Sequence, residues 1–146
     1  MALQIQRTSF YGLRASNLDV GSYATLCRAV AELSKNAEVV LVLSGGKLAA
    51  SHMKFGGPTP NEDEFRSMLS QLENVIATIK INQDKFGELE SVAIHYKYVD
   101  GLFFPINNSD TLIVGIMPPY DPAFSASVMS LIKKQALKRS DIVDQS

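Results

Sequence analysis

The chain has 146 residues, 46% of them hydrophobic and 20% charged, which suits one globular domain with a single core and lies far from the composition of disordered chains. With 14 basic and 15 acidic residues its formal net charge is −1, which excludes a broad electrostatic footprint for nucleic acid or for an anionic membrane surface. The lone cysteine, Cys27, excludes an intramolecular disulfide and a Cys-rich metal site, and suits a reducing compartment, so a cytoplasmic location is expected.

Residues 1–18 contain no apolar run of secretory-signal length, and no later stretch reaches the ~18 apolar residues of a membrane span, so neither secretion nor direct membrane insertion is expected. Arg7, Arg14 and scattered serines, with no acid before Asp19, leave an organelle presequence as a lesser alternative to a plain N-terminal extension. The domain proper is expected over 19–139, with 140–146 as a frayed polar tail.

Val20, Tyr23, Ala24, Cys27, Val30 and Ala31 recur at helical spacing and predict a first helix between Asp19 and Lys35. The β-branched run from Glu38 to Leu43, then Ser44-Gly45-Gly46-Lys47, then Leu48 to Phe55, predicts a hairpin about a turn whose glycines supply positive φ. Thr59 as N-cap, Pro60 at the first helical position and Glu62 closing a capping box predict the start of a second helix. Its stripe of Phe65, Met68, Leu69, Leu72, Val75, Ile76 and Ile79 is the strongest periodic signal in the chain, and the helix is expected to run until just before Gly87.

Val92, Ile94, Tyr96 and Tyr98 alternate with Ala93, His95 and Lys97, the period of a strand between unlike environments. Asp100-Gly101 predicts the next hairpin turn, leading to a strand over 102–106 in which Pro105 sits near the end. Thr111 to Met117 is apolar on both faces, as a central strand should be. Asp121-Pro122 then starts a third helix, with Phe124, Val128, Leu131 and Ile132 on one face and Lys133, Lys134, Lys138 and Arg139 near its negative end. A five-stranded antiparallel sheet with helices on its faces, an α+β arrangement within the broad α/β class, buries these stripes economically.

No catalytic, cofactor or metal constellation emerges. Ser44 to Lys47 lacks the upstream glycine and the hydroxyl after the lysine that a phosphate loop needs, and is read as a turn. Cys27 lies on an apolar stripe, where a thiol behaves as a small hydrophobe rather than as a nucleophile paired with His52 or His95. Two histidines alone make no His-rich metal site, and His95 is expected at the surface or in an interface.

The order of elements over roughly 19–138 resembles the roadblock / dynein light-chain superfamily. The stretches most like it are Val39–Ala50, the long helix from Asn61, Gly87–Tyr96, Asp100-Gly101-Leu102 and Asp110–Ile116. The resemblance implies a sheet order of 2-1-5-4-3, the second helix on one face and the first and third on the other, in a roadblock-like, profilin-like domain. It also implies a non-catalytic homodimeric adaptor or regulator that serves a small GTPase or a motor or trafficking complex. The loop Phe55–Pro60 and the N-terminal eighteen residues depart from the pattern.

In that order the third strand is an exposed edge, a ready template for pairing with another chain. Together with the second helix it places the expected dimer interface on Met68, Leu72, Val75, Ile79, Val92, Ile94, Tyr96 and Tyr98. A profilin-like small-molecule sensor, which needs an enclosed apolar pocket in one protomer, remains the alternative, and an uncharacterised hydrolase the weaker one.

Overall fold

The computed structural model describes residues 14–54 and 62–144. Its elements are α1 (Arg14–Glu32), β1 (Ala37–Ser44), β2 (Lys47–Met53), α2 (Glu62–Lys80), the single-turn α3 (Gln83–Phe86), β3 (Val92–His95), β4 (Asp100–Pro105), β5 (Asp110–Ile116) and α4 (Phe124–Asp144). The strands form one antiparallel sheet in the expected order, β2-β1-β5-β4-β3.

Side chains alternate across a strand, so each face of the sheet collects its own layer. Val40 and Val42 of β1, Leu102 and Phe104 of β4, and Leu112, Val114 and Ile116 of β5 are buried against α1 and α4, which contribute Tyr23, Cys27, Val30, Phe124 and Val128 among others. Their sequence neighbours Leu41, Leu43, Phe103 and Ile113 face the other way and are buried with Leu69 and Ile76 of α2. β5 is apolar throughout because both its faces are covered. Each fully buried aliphatic or aromatic side chain contributes ~1.5–3 kcal/mol before conformational entropy is subtracted.

Several sequence expectations need correction. α1 begins at Arg14, five positions before Asp19, within the stretch read as an extension. α2 stops at Lys80: Ile81 and Asn82 donate to the carbonyls of Thr78 and Ile79, a tight three-residue closure, and α3 is a separate turn whose Lys85 and Phe86 amides bond the Asn82 carbonyl. The apolar stripe ends at Ile79, so nothing on the sheet holds the helix beyond it. α4 runs to Asp144, which puts positions 133, 134, 138 and 139 inside the helix and removes the helix-end reading of those cations.

The second hairpin also differs. Its turn is Tyr96-Lys97-Tyr98-Val99, closed by the Tyr96 amide on the Val99 carbonyl at 3.0 Å, while Asp100 and Gly101 open β4 opposite His95 and Ile94. Asp-Gly is a turn dipeptide when it is solvated, but here the Asp100 side chain is buried and hydrogen-bonded, and Gly101 lies against the Phe103 ring. β3 accordingly ends at His95 instead of continuing through Tyr98. Thr59 and Pro60 of the expected capping box lie outside the described residues.

Candidate interaction surface

The spacing Met68, Leu72, Val75, Ile79 is four, three and four residues, which keeps all of them on one stripe of α2. A neighbouring stripe, Leu69 and Ile76, faces the sheet. Leu72 is half-buried and shared between the two, whereas Met68, Val75 and Ile79 are exposed, Val75 by 47%. A helix amphipathic about one stripe covers its own sheet with that stripe alone. This one carries apolar side chains past that need.

β3 is the sheet edge on the β4 side. Val92 and Ile94 are half-buried on the α2 side, so the structure brings them to the same side of the sheet as the α2 stripe. Because Tyr96 bonds inward to Val99, the alternation of antiparallel pairs makes Ile94 the next inward-bonded residue and directs the amides of Ala93 and His95 to the open edge. Tyr96 and Tyr98 are exposed in the turn rather than in the strand, and Lys97 Nζ stands 5.4 Å from the centre of the Tyr98 ring.

Two exposed apolar residues near the end of α2 escaped the sequence reading. Ile81 and Phe86, the latter 83% exposed, follow the break in α2 and so fall off the helical period that marked the rest. Beside them a cleft of about 400 Å³ opens between the end of α2, α3 and the segment entering β3, with Ile79, Phe86 and Leu89 in its lining. The Gln83 side-chain oxygen accepts the Leu89 amide at 2.8 Å, which holds that wall in place.

The edge is braced by a polar cluster. His95 Nδ1 lies 2.9 Å from Asp100 Oδ1, and the Tyr120 hydroxyl donates to Asp100 Oδ2 at 2.7 Å. The bonds from Tyr120 and His95 hold the Asp100 carboxyl below its ordinary pKa, while burial, helped by Asp100, pushes the Tyr120 phenol up to about 12. The cluster ties the β3–β4 hairpin to the segment before α4.

The elements that invited a catalytic reading are occupied structurally. Cys27 is fully buried, and burial pushes its thiol up to about 11, the opposite of an activated nucleophile. His52 and His95 sit on β2 and β3, the opposite edges of the sheet, and do not converge. Gly45 and Gly46 adopt φ of 56° and 83° in the hairpin turn, and the Gly45 amide bonds the Ser109 carbonyl at 2.9 Å, so the turn is stitched to the β4–β5 connection. Asp110, beside that connection, accepts from the Tyr23 hydroxyl and from Asn107 Nδ2, a buried anchor that the sequence reading missed. Among the described residues no group of three or more His, Cys, Asp or Glu side chains could hold a metal ion, and no helix is long and apolar enough to cross a membrane.

No protein-family model matches the sequence, and no curated protein matches it. Solved structures do resemble the fold. Myxococcus xanthus MglB is 16% identical with a TM-score of 0.65, over 84% of this chain and 90% of that one. A Roadblock/LC7 domain from Streptomyces avermitilis is 14% identical with a TM-score of 0.62, over 80% and 97%. MglC from Myxococcus xanthus is 15% identical with a TM-score of 0.59, over 80% and 98%. The chain therefore has the roadblock/LC7 fold, reached by a sequence far from these examples.

Proposed function

We propose that this chain is a non-catalytic adaptor or regulator that works in the cytoplasm as a two-fold homodimer and binds another protein. The observation that carries the reading is the apolar stripe of α2, which no described residue covers, beside an edge of β3 that no described residue pairs. A second copy related by two-fold symmetry satisfies both at once: β3 pairs antiparallel with its counterpart, and Met68, Leu72, Val75 and Ile79 meet the same residues of the other α2. Val92 and Ile94 line the junction between the two layers.

The partner class comes from the resemblance to roadblock / dynein light-chain proteins, which implies a small GTPase or a motor or trafficking complex. Among the described residues, clefts of about 400 and 510 Å³ are open to solvent, whereas a profilin-like sensor needs an enclosed apolar pocket. Near-neutral net charge supports a protein partner over nucleic acid.

Two measurements test this reading. Sedimentation should give twice the 16.0 kDa chain mass at micromolar concentration. Immobilised small GTPases from the same organism, loaded with either GDP or a non-hydrolysable GTP analogue, should retain the protein in one nucleotide state. A monomer that binds no GTPase in either state overturns the proposal.

A further inference from the structure

The edge of β3 is only four residues long, too short for its ladder alone to approach the ~800 Å² per partner of a standard interface. The geometry points to a further contact beyond the ladder and the α2 stripe, resting on the dimer proposed above: Tyr96 of each copy seats in the cleft that Ile79, Phe86 and Leu89 line on the other. Antiparallel pairing lays the end of one β3 beside the start of the second, so the turn after His95 meets the segment leading into Val92. With Ala93 and His95 supplying the outward amides, a two-fold centred on Ala93 pairs that residue with itself, and places Tyr96 opposite Glu90 of the second copy, at the mouth of the cleft.

The side of the sheet is also right. Val92 and Ile94 face α2, and Tyr96, whose amide on the Val99 carbonyl continues the β3–β4 register by one pair beyond the strand, follows the same alternation to the cleft side. Tyr96 is 63% exposed. The ring of Tyr98, by contrast, already lies under Lys97 within its own turn. At about 400 Å³ the cleft has room for a phenol ring, and its apolar wall is bordered by Asn82, Gln83 and Glu90, which can pair with the hydroxyl. Gly87, at a φ of 89° that favours glycine, stands between Phe86 and Leu89, and all three line the hollow. Phe86 is 83% exposed in the single chain and gains a lid from this contact.

The full chain carrying p-benzoylphenylalanine at position 96 tests the placement. Irradiation should give a covalent dimer whose cross-linked peptide maps to residues 79–91; cross-links confined to the chain's own residues, or mapped elsewhere on the second copy, overturn it. Tyr96→Ala should raise the dimer dissociation constant at least ~10-fold, with Tyr98→Ala within ~3-fold as the comparison. If wild type is a dimer and Tyr96→Ala dissociates no more readily, the cleft contact is wrong and the dimer stands. If wild type is a monomer throughout, both fall.

Discussion

At the scale of single residues, the buried carboxylates of this domain bear on its stability. Tyr120 and His95 hold Asp100 low. At Asp110 burial acts upward, and is outweighed by hydrogen bonds involving Ser44, Tyr23, Asn107 and Ser109, so that carboxyl is also held low. A carboxyl that is more acidic folded than unfolded contributes stability above its unfolded pKa of about 3.9, and that contribution is lost as pH falls toward the folded value. Urea midpoints should therefore fall more steeply below about pH 4 than ordinary carboxylates dictate, and Asp100→Asn should flatten part of that fall. An equally steep acid limb in Asp100→Asn and wild type contradicts this role. Cys27 belongs at the same scale: thiol reagents should label it only on unfolding, and Cys27→Ala should cost about 1–2 kcal/mol through the cavity left in the α1 layer.

The elements divide α2 into two jobs. Leu69→Ala or Ile76→Ala removes a side chain from the layer against the sheet and should cost about 2–5 kcal/mol in chemical denaturation. Val75→Lys instead places its charge on the exposed stripe, where the α-helical circular dichroism should stay native while the dimer weakens. Loss of helicity in Val75→Lys would mean that the outer stripe is structural after all. On β3, Ala93→Pro is a sharper probe than Ile94→Pro, because the Ala93 amide points to the open edge and the Ile94 amide to β4. Ala93→Pro should halve the sedimenting mass with the sheet intact, whereas Ile94→Pro should damage the protomer itself.

For the whole molecule, the proposed dimer would bury two α2 stripes and two β3 edges and so link folding to association. The thermal midpoint should rise with protein concentration, as it does whenever the native state is a dimer and the unfolded state is not. A midpoint that holds steady over a hundredfold range of concentration indicates a protomer that is complete by itself. Such an outcome would leave the apolar stripe of α2 to a different protein, and would direct the search to heterologous complexes.

The amphipathic stripes, the doubly apolar β5 and the glycine turn at 45–46 were legible in the sequence because each depends on local periodicity or on a backbone angle that few residues adopt. The strand order came from the resemblance of that element pattern to a known superfamily, and the sheet bears it out. The tertiary structure decided what local signals cannot carry. Asp100-Gly101 reads as a turn until Tyr120, twenty residues away, buries the aspartate and draws both residues into β4. The long apolar pattern of α2 reads as one surface until the sheet selects Leu69 and Ile76 for its own core and leaves Val75 outside. Phe86 gave no periodic signal at all, since a single-turn helix has no period to read; only packing the end of α2 beside β3 made it part of a surface.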